Sequence, residues 1–127
     1  MKYMVLMNAT PAGLASFGSM PKEDLQAHIR FMHELNDDLK ARGELEIAMG
    51  LGGPHEAKLV QARKDADPIV TDGPFAEGKE FLAGFWILEV ASEARIVEIA
   101  AYISSAPGKG GVPLRFPVEV RPVPPQL

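Results

Sequence analysis

Residues 81–90, with the sequence FLAGFWILEV, form the most apolar and aromatic run of this 127-residue chain. Apolar side chains fall on both sides of the alternation that a strand imposes, so we predict a long strand buried within a sheet. Gly84 inside it indicates a bulge or a close approach of another backbone segment. The polar residues 71–80 that precede this strand are dense in titratable groups, which makes their loop the first place to look for a site.

The rest of the chain repeats the order strand–helix–strand. We predict a first unit at residues 2–8, 21–41 and 44–51 and a second unit at residues 81–90, 93–104 and 114–123. This βαββαβ order is that of an α+β, ferredoxin-like fold with two helices on one face of an antiparallel sheet. Between the units, residues 58–64 and 68–71 predict an inserted hairpin that could extend the sheet edge. Residues 10–20, rich in Ala, Gly and Ser, predict a loop.

The central strands of this sheet, residues 2–8 and 81–90, are apolar on both faces. Two helices cover only one face of a sheet, so a single chain would expose a large apolar patch on the other. We therefore expect a homodimer in which two sheets pack together.

Composition excludes several classes of function. The length suits one domain spanning residues 1–127, and the net charge of −4 argues against direct binding of nucleic acid. The chain has no cysteine, which excludes disulfides, thiolate metal sites and a Cys nucleophile. No run approaches the length of a membrane span, and the N-terminus lacks a signal pattern, so we expect a cytoplasmic protein without membrane contact. Neither a dinucleotide fingerprint nor a P-loop is present, and we expect no cofactor.

Asp72 is the sharpest candidate for a site. It opens the turn Asp72–Phe75 and could serve as a general base or ligand anchor at the mouth of a cleft, or it could cap the turn. Lys79 and Glu80 follow and could form a charged wall that selects a polar or anionic substrate. The alternative for both is a solvated loop with weak ion pairs, which is the better interpretation of Glu77.

The three histidines differ in their predicted settings. His55 follows a Gly-Gly-Pro turn and could act as an acid or base near neutral pH, or be an ordinary exposed residue. His28 falls inside the apolar stripe of the first predicted helix, whereas His33 lies on its flank and is the better functional candidate. Since the pair His28 and His33 diverges by about 140° on a helix, we expect no metal site.

Two further candidates have competing structural interpretations. Arg121 could bind a carboxylate in a fork geometry, or it could pair with Glu119 near a subunit boundary. Phe75 could line an aromatic substrate pocket, or it could belong to the core or the dimer interface. The same two interpretations apply to Phe81, Phe85 and Trp86.

The string VTDGPFAEGKE at residues 70–80, followed by a strand and by VEVRPV at residues 118–123, resembles the DGPF group of the YCII-related superfamily. The resemblance covers essentially the whole chain. It implies a dimeric α+β barrel, in which two ferredoxin-like sheets pack and a cleft forms at each sheet edge. DGPF proteins are often associated with extracytoplasmic-function sigma factors, which implies a role beside transcription.

YCII-like proteins are also similar to small enzymes of the muconolactone-isomerase and dehydrochlorinase kind. In those enzymes a His on the first helix and an Asp near the second helix are proposed as an acid/base pair. The resemblance assigns the His to His33 or, less well, to His28. The matching Asp is absent, because residues 103–107 read ISSAP.

These observations predict a cofactor-free enzyme doing acid/base chemistry on a small aromatic or keto molecule. Its cleft would be built from the Gly50–His55 loop, the loop at Asp72–Phe75 and the first predicted helix. Asp72 would be base or anchor, with His33 or His55 as proton partner. The ligand-binding residues would be Lys79, Glu80, Phe75 and Arg121. The alternative is a non-catalytic module that senses a metabolite or meets a partner such as a sigma factor.

Overall fold

The computed structural model describes residues 1–75 and 79–125, and Glu77 lies outside the described residues. The helices and strands of the described chain, in order, are β1 (Lys2–Ala9), α1 (Pro11–Gly18), α2 (Lys22–Ala41), β2 (Leu45–Gly50), β3 (Lys58–Arg63), β4 (Ala66–Asp72), β5 (Phe81–Glu89), α3 (Glu93–Ser104) and β6 (Glu119–Pro122). Among these residues, none of the helices is both long and apolar enough to cross a membrane.

The main sheet has the order β2-β5-β1-β6, and every neighbouring pair in it is antiparallel. This is the order of a ferredoxin-like α+β fold, as the sequence predicts. Strands β5 and β1 occupy the centre, which agrees with their apolar side chains on both faces. Where Gly84 faces Gly50, a side chain on Gly84 would meet the Met49 carbonyl oxygen, so the expected close backbone approach is present.

Helices α2 and α3 pack on one face of this sheet and form the core with it. The buried core side chains are Tyr3, Val5, Leu35, Leu39, Trp86, Leu88, Val90, Ile96, Ile99 and Ile103. The Trp86 indole N–H donates to the Asn36 side-chain oxygen at 2.8 Å, which satisfies its polar atom beneath α2. Trp86 therefore belongs to the core.

The opposite face of the main sheet, the open face, stays apolar and accessible. Its side chains alternate with the buried ones and are half-buried or exposed: Met4, Leu6, Ile47, Met49, Phe85 and Ile87. Arg121 and Glu119 extend this face at the β6 edge, opposite Met4 and Leu6. A soluble domain normally buries a surface of this kind against another element or another chain.

Strands β3 and β4 form a hairpin whose two-stranded sheet is separate from the main sheet. The hairpin itself is as the sequence predicts, with Leu59 opposite Thr71 and Val60 opposite Val70. It does not extend the edge of the main sheet, as the sequence suggested it could. Every residue of both strands is exposed.

The prediction of a loop at residues 10–20 is wrong, because Pro11–Gly18 form helix α1. Thr10 caps this helix by accepting a hydrogen bond from the Gly13 amide at 3.0 Å, and Pro11 lies in the first turn of the helix. Phe17 packs edge-on against the His28 ring with centroids 4.9 Å apart. A cap and one aromatic contact thus order a segment whose small residues look like a loop.

The last predicted strand, residues 114–123, is shorter than expected and pairs only from Glu119 to Pro122. The prolines at 113 and 117 lack the N–H that a ladder needs. The chain instead follows the end of α3: the Arg115 amide donates to the Ser104 carbonyl at 2.8 Å, and the Ser104 hydroxyl donates to the Phe116 carbonyl at 2.6 Å.

Candidate functional site

One end of the main sheet, called here the loop end, gathers most of the candidate residues. Strands β1 and β2 finish there and β5 begins there, since Ala9 pairs with Phe81 and Gly50 pairs with Gly84. Helix α1, the loop after β2 and the segment before β5 therefore all start or finish at this end. This topology follows from the antiparallel order of the three strands.

Two turns meet at the loop end and form what we call the turn junction, residues 53–57 and 72–75. The Gly73 amide donates to the Ala57 carbonyl oxygen at 2.8 Å. Gly73 also lies so close to the other turn that a methyl group in its place would overlap the Pro54 carbonyl oxygen. The glycine of the DGPF string is thus needed where two backbone segments touch.

Asp72 ends β4 at the turn junction and forms an ion pair with Lys58, which starts β3 directly opposite it. The Lys58 Nζ lies 2.5 Å from Asp72 Oδ1, and the two side chains are 62% and 73% exposed. An exposed pair of this kind contributes about 0–1 kcal/mol. A ligand could therefore compete for either charge at little cost in stability.

His55 lies in the other turn of the junction, within the 3₁₀ turn Pro54–Glu56. Its ring packs over the backbone of Gly53, where a methyl group would come within 2.8 Å of the His55 Cε1. The Leu14 side chain of α1 approaches the same glycine. The imidazole thus lies at the surface of the junction, over the backbone of its own turn.

The remaining loop-end candidates are Phe75, Lys79 and Glu80. Phe75 is half-buried at the end of the 72–75 turn, whereas Lys79 and Glu80 are exposed immediately before β5. They give the loop end an apolar side chain and two charges of opposite sign. Such a mixture can bind a molecule with an aromatic or aliphatic body and a polar group.

Two predicted site residues lie apart from the loop end. His33 is exposed midway along α2, and Arg121 lies on the open face opposite Met4. The Glu119 carboxylate accepts a hydrogen bond from the Asn8 side-chain amide at 3.0 Å, a partner that the sequence did not predict for it.

His28 is a buried histidine with a satisfied ring, as predicted for a residue inside the apolar stripe. It is 8% exposed. Its Nδ1 lies 3.0 Å from the Pro107 carbonyl oxygen, so the Nδ1–H donates to that oxygen. This arrangement ties α2 to the loop after α3.

A hollow of about 510 Å³ lies between α2 and α3, away from the predicted site residues. Its arginines already have partners: Arg42 pairs with Asp38 at 3.0 Å, and Arg95 pairs with Glu98 at 2.5 Å and with Glu44 at 2.8 Å. The hydrogen bond from Arg95 holds the pKa of Glu44 below its usual range. The hollow is thus a groove between helices whose arginines are already paired, and we do not place the site there.

Sequence reasoning missed three contributors to the loop end: Lys58, Glu56 and Leu14. The Glu56 carboxylate folds back over Gly52, so that a methyl group added to Gly52 would overlap the carboxylate. Lys58 was predictable, because the register that places Val60 opposite Val70 also places residue 58 opposite residue 72. Leu14 has no such signal, since the composition of residues 10–20 predicts a loop.

Within residues 1–75 and 79–125, no three His, Asp or Glu side chains come together as a metal site would require. The sequence model of the YCII-related domain matches residues 1–112. This match includes the loop end and the hairpin and stops before β6. No curated protein matches the chain.

Proposed function

The chain belongs to the YCII-related family, and on that premise we propose that it is a homodimer that binds a small molecule at the turn junction and does cofactor-free acid/base chemistry on it. The observation that carries the proposal is the backbone contact between Gly73 and Ala57, which brings the turns bearing Asp72 and His55 together. The cytoplasmic location expected from the sequence stays part of this proposal.

In this proposal the junction supplies an acid, a base and an anchor. His55 exchanges a proton with the substrate, since imidazole changes charge near neutral pH. Asp72 acts as base or anchor, and Lys58 is the counter-ion that a substrate carboxylate or keto oxygen would share. Transfer requires that both side chains reach one bound molecule, which residues in touching turns can do. Phe75 would contact its apolar part, and Lys79 and Glu80 its polar part.

The second copy of the homodimer would help to enclose the turn junction. A second copy that covers the open face would also stand beside the loop end, because Met49 and Phe85 of that face lie next to Gly50 and Gly84. Excluding water from the junction would strengthen the interaction of its charges with a substrate. The exposed Asp72 of a single chain would then become part of an enclosed cleft.

A second candidate function is a non-catalytic sensor of a metabolite, linked to transcription through a sigma factor. The observation that favours it is the exposed ion pair of Asp72 with Lys58, which can anchor a charged ligand without any proton transfer. A sensor needs only shape and an anchor, whereas an enzyme also needs His55 to exchange protons.

A thermal-shift screen of keto and aromatic carboxylic acids tests the proposed binding site. We expect a ligand that raises the melting temperature of the wild type and of Asp67→Asn, an exposed aspartate on the same hairpin, but not that of Asp72→Asn. Without ligand, Asp72→Asn should melt no more than about 4 °C below the wild type, because an exposed ion pair is worth little. An equal ligand shift in Asp72→Asn and the wild type would contradict this site.

The same ligand then separates the two candidate functions. In D₂O, an enzyme that moves protons should exchange a C–H proton of the ligand for deuterium, and His55→Gln should slow this exchange at least about tenfold. The NMR signal of that proton gives the rate. A bound ligand whose protons never exchange would favour the sensor, and wild-type exchange in His55→Gln would remove His55 from the mechanism.

A further inference from the structure

The β3–β4 hairpin exposes four large apolar side chains to solvent. Leu59, Val60, Ile69 and Val70 are 58%, 65%, 44% and 54% exposed. An isolated two-stranded hairpin is at best marginally stable in water. The chain anchors this one at its base, where the Gly73 amide bonds to the Ala57 carbonyl. The rest of the hairpin needs a surface to pack on.

Both faces of the hairpin carry these apolar residues. Val60 and Val70 are directly opposite each other and share one face, whereas Leu59 and Ile69 lie on the other. A hairpin that rested on its own domain would bury one of these faces, but here all four side chains are exposed. The surface that covers them therefore comes from outside the chain.

The excess accessible surface of the chain indicates what kind of partner covers the hairpin. A compact monomer of 13.7 kDa exposes about 6,600 Å², whereas this chain exposes 8935 Å², roughly 2,300 Å² more. Obligate homodimers bury roughly 1,000–2,500 Å² on each partner. The excess thus matches one side of an extensive homodimer interface and exceeds what four hairpin side chains alone would expose.

The hairpin is also continuous with the open face that a second copy would cover. Strand β2 places Met49 on that face, and Leu51 follows it, also exposed, on the way to the hairpin. A strand of six or seven residues extends about 20 Å, twice the distance of about 10 Å between packed sheets. A subunit seated on the open face therefore lies within reach of the hairpin.

We propose that the β3–β4 hairpin is an arm that packs on a second copy of this chain, beside the open face of that copy. Each arm carries Lys58 and Asp72 at its base, so the arm fixes the junction of one subunit against the surface of the other. The proposal rests on the homodimer of the proposed function but not on its acid/base chemistry.

The effect of a charge on the arm tests this contact. Val60→Asp should raise the dimer dissociation constant at least about tenfold, because the aspartate would have to be buried in the interface. Val112→Asp is the matched control, since Val112 is also 65% exposed but lies in the loop after α3. It should leave the constant within about twofold of the wild type. Sedimentation equilibrium of the three proteins gives the constants.

A cross-linking measurement keeps the proposal testable if the charged variant folds poorly. Because the chain contains no cysteine, Val60→Cys can be labelled with a benzophenone maleimide at that position alone. In a mixture of ¹⁴N and ¹⁵N chains, we expect cross-linked peptides that pair light with heavy chains.

Three results would overturn the arm. Cross-links confined to one chain would show that the hairpin packs on its own domain. Equal dissociation constants for Val60→Asp and Val112→Asp would show a dimer that does not use the hairpin. A wild type that is monomeric throughout would remove both the arm and the homodimer, whereas failure of the ligand screen leaves the arm intact.

Discussion

Gly73 shows at the scale of one residue why the DGPF string has its composition. Its amide bonds to Ala57, and it has no room for a side chain beside the Pro54 carbonyl. The glycine therefore serves the contact between two turns. Asp72 beside it makes a side-chain ion pair with Lys58.

Gly73→Ala should destabilise the protein, because the new methyl group must push the two turns apart. We expect a loss of about 1–3 kcal/mol in the free energy of unfolding, typical of overpacking. Urea unfolding measures it. Gly50→Ala is the control, since nothing lies within 4 Å of a side chain there. If both variants unfold at the same urea concentration, the two turns are not in contact.

Local chemistry at single residues was largely predictable from the sequence. Serine is a favoured N-cap residue, and Ser92 caps α3 by accepting a hydrogen bond from the Arg95 amide at 3.1 Å. His28 is buried, as its position inside the apolar stripe predicts, but the next residue, Ile29, is 45% exposed. His28 faces the core, where its ring contacts Phe17 and the Pro107 carbonyl. Neither partner can be located without the fold.

At the scale of elements, the predictions succeeded where a periodic pattern decides the structure. The alternation and stripes of the main strands and of helices α2 and α3 fix their positions. Helix α1 depends instead on a cap at Thr10 and a contact from Phe17, and the segment before β6 depends on hydrogen bonds with Ser104. These are tertiary interactions that composition does not reveal.

The pair of Glu44 and Arg95 joins the start of β2 to the start of α3. Two hydrogen bonds of 2.9 and 2.8 Å connect them. The Arg95 guanidinium lowers the pKa of Glu44 from its ordinary value of 4.5. Between the lowered pKa of the folded state and the ordinary value of 4.5, the folded state thus holds fewer protons than the unfolded state. The pair therefore stabilises the fold above about pH 4.5, and this stabilisation is lost as acid protonates Glu44.

Glu44→Gln should lower the free energy of unfolding by about 1–2 kcal/mol at neutral pH, since it removes the charge from two hydrogen bonds. The difference from the wild type should shrink as the pH falls below about 4.5. Thermal unfolding over a pH series measures both. Glu98→Gln removes an exposed partner of the same arginine and should cost less. A Glu44→Gln deficit that grows in acid would refute the assignment.

At the scale of the whole molecule, the order of elements and the uncovered open face both followed from the sequence. The candidate site followed only in part, because the positions of Asp72 and His55 depend on how two turns meet. The separate course of the hairpin could not be predicted, since its alternating pattern also suits an edge strand. Which surface a strand joins is decided by distant parts of the chain and, in our proposal, by a second chain.

Sedimentation velocity of the wild type tests the central claim, that a second copy covers the open face and the hairpin. At micromolar concentration we predict one species of twice the chain mass of 13.7 kDa. Its apolar surface would then be buried between subunits, as in other homodimers of this size. A single species of 13.7 kDa under the same conditions would contradict the homodimer. The arm and the enclosed cleft would then have no partner to complete them.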